Sequence, residues 1–190
     1  SYEWGTTGIE IAKSISEGLA RNVLAVKVNG EVRDLSRPIS VDSKIELLTW
    51  DSKEGKSTMW HSSAHLMAEA LEHFYPGIKF WVGPPVDNGF YYDVDMGDHQ
   101  ISSDDFKKIE EKMLELARKN NAYIRKEMPK KEAIHFFNEK GDEYKLDLLQ
   151  NLEDGTISFY TQGNFTDLCR GPHIPNTSFI KAAKLTAIAG

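Results

Sequence analysis

The sequence predicts an α+β protein built as two units of unequal size, and three observations predict it. The first fifty residues hold one capped helix followed by three strand-like runs. Residues 51–58, "DSKEGKST", are polar throughout, contain a glycine and carry no apolar side chain, which reads as a linker. Residues 59–190 then interleave helical stripes with runs rich in β-branched and aromatic residues.

In the first unit "TTGIE" opens a helix, because Thr7 and Glu10 form a capping-box pair ahead of Ile11 and Ile15. "VLAVKV" predicts a strand, Asn29-Gly30 a two-residue hairpin turn, and "EVRDL" the returning strand. "KIELLTW" predicts one more, and Tyr2–Trp4 reads as the remnant of a strand whose hairpin partner is cut away. The opening "SYEWGTTG" has no Met, so the unit reads as N-terminally truncated.

In the second unit a helix is expected over 59–74, capped by Ser57 or Thr58. "KFWVGPPVDNGFYYDVD" predicts two strands about a turn region. "SSDDFKKIEEKMLELARKNN" is an amphipathic helix, with Phe106, Ile109, Met113 and Leu116 as its stripe and Ser103 as its cap. "KKEAIHFFNEKG" predicts a short helix ending at Gly141, and "TISFYTQ" and "TSFIKAAKLTAIA" predict strands.

At 190 residues, 40% hydrophobic and 11% aromatic, the chain can form one ordinary domain or two small ones and is not of disordered composition. One cysteine excludes an internal disulfide framework and fits a reducing cytosol. No apolar run approaches the ~20 residues that span a bilayer. A net charge of −6 argues against a general nucleic-acid binder. Lysines and arginines do cluster between residues 107 and 131, where a solvated charged face outweighs a nucleic-acid patch.

The chemistry gathers in two places. On the first helix, Met67, Ala70, Leu71 and Phe74 form a core stripe, while His61 and His65 stand one turn apart on nearly the opposite face. Only Ser62, Ala64 and Ala68 accompany them, so another element can approach closely. In "FTDLCRGPH" the lone Cys169 and His173 are also four residues apart, but Gly171 and Pro172 exclude a helix between them. Two His-x-x-x-His ligands with a Cys-x-x-x-His pair suit a tetrahedral zinc site. No glutamate lies between the helix histidines, so the metalloprotease pattern is missing. A Cys–His nucleophile is a further reading, ranked below a hydrolytic or metal pocket because four polar groups exceed what one thiolate needs. Asp167 adds a carboxylate beside the same turn.

"HSSAHLMAEAL", "GPPVDNGFYYDVD", "GDEYK" and "DLCRGPHIPNT", in this order, resemble the editing domain of bacterial-type threonyl-tRNA synthetases. Residues 1–50 resemble the ubiquitin-like β-grasp (TGS) domain at the N-terminus of those enzymes. The likeness implies a TGS unit at 1–50, a linker at 51–58 and an editing domain at 59–190 with an antiparallel sheet and packed helices. It implies hydrolysis of mischarged seryl-tRNA(Thr), because serine lacks only one methyl of threonine and a synthetic site rejects it by only about 1–3 kcal/mol.

Residue by residue, the resemblance places His61, His65, Cys169 and His173 around the terminal adenosine ester. Lys145 would position water or stabilise developing charge, Asp167 would take the substrate's ammonium or hydroxyl, and Tyr92 would shape the wall. Alanyl-tRNA editing proteins share the two ligand pairs and use them for zinc; here no obligatory metal is expected, and zinc on those four residues stays an alternative. ATP, magnesium and a further zinc ion are implied only for the synthetic domain, which would follow "LTAIAG". The implied partner is the aminoacylated 3′ end of tRNA(Thr), in the cytoplasm and without a membrane, with a dimeric full-length enzyme and a monomeric fragment. Two other readings remain: a non-catalytic tRNA or protein docking module resting on the β-grasp unit and the 107–131 cations, and a zinc-dependent hydrolase of a small substrate.

Overall fold

Thr7 caps α1 (Gly8–Ile15) through a reciprocal capping box with Glu10, as the spacing predicts, and Ser16 caps the short α2 (Glu17–Ala20). The computed structural model describes residues 1–189. Asn29 and Gly30 both take positive φ, as a two-residue hairpin with the right strand twist requires, and join β1 (Ala25–Val28) to β2 (Glu31–Arg33). β3 (Ile45–Leu48) pairs antiparallel on the other edge of β1, giving the order β2-β1-β3. Ile11, Ala12, Val23, Val26, Leu35 and Ile39 form the core beneath this sheet. Tyr2–Trp4 belong to no strand.

The expected linker is a helix. α3 runs Lys53–Phe74, capped by Ser52, so residues 53–58 are its first turns and neither Ser57 nor Thr58 is the cap. Tertiary contact explains the difference. Gly55 rests so close to the end of β3 that a Cβ there would lie 1.9 Å from the Thr49 carbonyl oxygen. Lys27 on β1 reaches Glu54 at 2.5 Å. Polar composition marked an exposed segment, and the helix supplies its backbone bonds.

α3 is also not the half-buried helix that its stripe suggested. Every residue from Ser62 to Leu71 is buried, His65 among them, because α4 (Phe106–Arg118), β5 (Pro85–Val86), β6 (Gly89–Phe90) and β10 (Phe165–Leu168) pack around it. α4 follows a 3₁₀ turn at Ser103–Asp105 that Ser102, not Ser103, caps. Its buried Ile109 and Met113 contribute about 1.5–3 kcal/mol each. The Lys–Glu pairs on its outer face give at most about 1 kcal/mol each, so the apolar seam holds this helix pair.

The "KFWVGPPVDNGFYYDVD" region forms two small antiparallel pairs, β4 (Lys79–Phe80) with β7 (Val94–Asp95) and, inside it, β5 with β6. The main sheet of the second unit has the order β10-β9-β8, all antiparallel, from β8 (Ile124–Pro129), β9 (Thr156–Gln162) and β10. α5 (Lys130–Lys140) stops at Gly141 as predicted, and α6 (Glu143–Gln150), capped by Asp142, was not anticipated. The tail corrects one expectation. Thr177–Phe179 is a 3₁₀ turn capped by Asn176, and residues 180–189 form no strand, since no neighbour offers them a ladder. The fold class is α+β, as read from the sequence.

Candidate active site

Four elements converge on one cavity of about 350 Å³ that opens to solvent. α3 supplies His61 and His65, α6 supplies Lys145, β10 supplies Asp167, and the turn after β10 supplies Cys169. Tyr92, between β6 and β7, closes one wall. His173 stands one layer behind, buried, with its ring stacked on His61 at 4.3 Å and on Tyr123 at 4.9 Å. All seven residues singled out from the sequence therefore meet at this site.

The turn at 169–174 is held from several sides. Cys169 donates its backbone N–H to Ser158 on β9, and Ser158 donates its hydroxyl to the Cys169 carbonyl at 2.6 Å. Gly171 takes a φ of +75°, and a Cβ there would strike the Tyr160 hydroxyl at 2.1 Å, so glycine is required on both counts. Pro172 presents its carbonyl to His61 Nδ1 at 3.2 Å. The Gly-Pro turn aims Cys169 and His173 at α3 without helical geometry.

These contacts fix proton positions. A carbonyl only accepts, so His61 Nδ1 carries the proton and the Nε2 of the neutral ring is a bare acceptor, 3.3 Å from Cys169 Sγ. Ser62 donates its hydroxyl to the Thr58 carbonyl and accepts from Ile174 N–H, so His173 Nδ1 donates to Ser62 Oγ at 2.9 Å. That leaves His173 Nε2 also bare, 3.4 Å from the same sulfur. Burial holds His61 below the usual histidine range, and burial plus the neighbouring imidazoles hold His65 and His173 well below it. Burial pushes the Cys169 thiol up to about 12. The site therefore presents neutral imidazoles and a neutral thiol, which counts against the Cys–His nucleophile.

Lys145 and Asp167 form a buried ion pair, Nζ to Oδ1 at 2.8 Å. Nζ also donates to the Trp81 carbonyl at 2.7 Å. Asp167 further accepts from the Leu168 N–H and from the Tyr92 hydroxyl. Burial, and then the Asp167 charge, lift the Tyr92 phenol well above its ordinary range, so it donates rather than ionises.

The donor set fits zinc. One ligand atom from each of His61, His65, Cys169 and His173 falls within 4.8 Å of the others. The back-side Nδ1 bonds of His61 and His173 are the kind that orient metal-bound imidazoles. An ion there would have all four tetrahedral positions filled by protein, as structural zinc sites do, and would draw the proton off the thiol.

Sequence reasoning missed Ser62, Tyr160 and Asp34, which position the site from behind. Ser62 was noted only for its small size, and Asp34 lies more than a hundred residues from the turn it touches, with no local signal. Of the 107–131 cations, Lys107, Lys108, Lys119, Arg125 and Lys130 each face a carboxylate, which suits the solvated-face reading. Arg170, by contrast, is exposed at the cavity mouth. No helix among the described residues is long and apolar enough to cross a membrane.

Residues 2–49 match the TGS domain, and residues 157–190 match the threonyl and alanyl tRNA synthetase second additional domain. The whole chain aligns with threonine–tRNA ligases, at 66% identity in Cytophaga hutchinsonii, 58% in Parabacteroides distasonis and 55% in Porphyromonas gingivalis. It spans 29% of the length of these curated relatives. With a TGS match at one end, the additional-domain match at the other and such relatives across its full length, the chain is similar throughout to the N-terminal region of threonine–tRNA ligases.

Proposed function

We propose that this region hydrolyses the ester of seryl-tRNA(Thr), the mischarged product of a ligase whose full length joins threonine to tRNA with ATP. The observation that carries this reading is the meeting of neutral imidazole acceptors with a buried Lys145–Asp167 pair in one solvent-open cavity. The terminal adenosine enters past Arg170, whose positive charge suits the phosphates of an acceptor end. Asp167 receives the substrate ammonium by giving up part of its Tyr92 or Lys145 contact. Water adds to the ester carbonyl, and its proton passes to the bare Nε2 of His61, with His65 and His173 completing the polar wall. The oxyanion that forms is stabilised by the Lys145 ammonium. Collapse expels the ribose oxygen, which takes the proton back, giving free serine and intact tRNA.

Tyr92, tethered to Asp167 and packed on Gly83, makes a rigid wall against the extra methyl of threonine. A zinc ion held by His61, His65, Cys169 and His173 would occupy the same His61 Nε2, since Nδ1 is committed to the Pro172 carbonyl, so the proton transfer to that nitrogen belongs to the metal-free site. We also propose residues 1–50 and 59–190 as the two functional units, a cytoplasmic setting, a monomeric fragment and a dimeric full-length enzyme.

Lys145→Ala tests the reading. Loss of an oxyanion-stabilising group is expected to lower the deacylation rate of seryl-tRNA(Thr) by about 10²–10³-fold. A variant as fast as the wild-type chain would refute the assignment.

A further inference from the structure

We propose that Asp34, in the N-terminal unit, is a positioning residue of the hydrolytic pocket, holding the Cys169–His173 turn in its working place. The role rests on the hydrolytic reading above. Asp34 follows β2 and is buried. Its Oδ1 accepts from the backbone N–H of His173 at 2.8 Å, and its Oδ2 accepts from the Tyr160 hydroxyl at 2.6 Å. Among the described residues these are the hydrogen bonds that pass from residues 1–50 into residues 59–189, and both end on this carboxylate.

The geometry gives those two bonds a purpose beyond packing. The turn lies outside any helix or strand, so each of its amides needs a partner from elsewhere. Ser158 takes Cys169 N–H, the Cys169 sulfur takes Gly171 N–H, and Ser62 takes Ile174 N–H. His173 N–H is left for Asp34. Tyr160, fixed by the other carboxylate oxygen, leans its ring on His173 at 4.5 Å and its hydroxyl on Gly171. One side chain of the first unit thus sets both the backbone under His173 and the aromatic stop behind the glycine. A buried carboxylate facing two neutral donors is a costly way to fill space, since an apolar residue would avoid the desolvation. A charged acceptor does, however, make shorter and stronger bonds to N–H and O–H donors. The pocket wall is therefore complete only when the N-terminal unit is seated.

The test uses the whole chain and seryl-tRNA(Thr), comparing wild type, Asp34→Ala, Asp34→Asn and Tyr160→Phe. Asp34→Ala is expected to lower kcat by about 10-fold or more with KM within about 2-fold, the size usual for residues that orient a reactive group. Asp34→Asn keeps an acceptor for His173 N–H and is expected to recover most of that loss. The backbone amide NMR signal of His173 should move in Asp34→Ala and return towards wild type in Asp34→Asn. Should Asp34→Ala fail to fold, Tyr160→Phe decides: reduced kcat at unchanged KM supports the role, and unchanged kcat overturns it. Asp34→Asn as impaired as Asp34→Ala also overturns it. An inactive wild-type chain sinks the hydrolytic reading and this role with it. An active wild type beside an unimpaired Asp34→Ala sinks this role alone.

Discussion

Cys169 sits between two imidazole nitrogens that both lack a proton, and its thiol hydrogen can serve either one. A thiol held up to about 12 is a hydrogen-bond group at neutral pH, not a nucleophile. Cys169→Ser, which keeps a donor of the same kind, is accordingly expected to retain deacylation within about 10-fold, whereas loss of a nucleophile or base commonly costs about 10⁴-fold or more. Single-turnover rates of the two proteins, with and without a zinc chelator, check this. Collapse of the serine variant would restore the thiolate reading, and chelator-sensitive wild-type activity would bring zinc into the chemistry. At this scale the sequence was informative about residue types. It marked His61, His65, Cys169 and His173 by spacing and Asp167 by its place beside the same turn, and Lys145 and Tyr92 only through family likeness. It could not show that Lys145 and Asp167 face each other, because they lie on separate elements and meet only in the fold.

α3 shows how an element can mislead a reader of periodicity. Its apolar stripe was visible, but small and polar residues on the other faces are just as buried, since four neighbouring elements enclose the helix. A glycine inside a helix ordinarily costs about 1 kcal/mol relative to alanine. Gly55→Ala should nevertheless destabilise by about 1–3 kcal/mol, because the added methyl meets the Thr49 backbone. A raised urea midpoint would contradict this docking of α3 on β3.

Glu69, on the same helix, is a buried carboxyl raised above its usual range by burial. Its Oε2 has no hydrogen-bond partner among the described residues, and neither does the neighbouring Gln162 Oε1. A carboxyl whose folded pKa is raised contributes stability below its unfolded value of 4.5, and that contribution is lost as pH rises through the folded value. Glu69→Gln, which offers an N–H₂ to Gln162, should therefore stabilise by about 1 kcal/mol at pH 7. The advantage should shrink as pH falls towards 4.5. Urea midpoints across that range test it, and a constant difference would refute the assignment.

Across the whole molecule, the α+β class was legible because helix caps, the Asn-Gly hairpin and alternating strands are local signals. The start of α3 was not. Residues 51–58 look like a linker in composition, yet their first turns are clamped by Lys27 and Thr49, contacts that no local pattern records. The tail was misjudged for the complementary reason: β-prone residues without a neighbouring ladder make no strand. Beside the contacts of Lys27 and Thr49 with α3, the two hydrogen bonds of Asp34 tie the first unit to the candidate site.

The proposed pocket is a sieve that takes serine and refuses threonine. The most direct measurement is the deacylation rate of seryl-tRNA(Thr) beside threonyl-tRNA(Thr) with the same purified chain. The proposed function predicts serine release well above the uncatalysed rate and threonine release close to it. Equal rates for the two esters, or neither above background, would contradict the account.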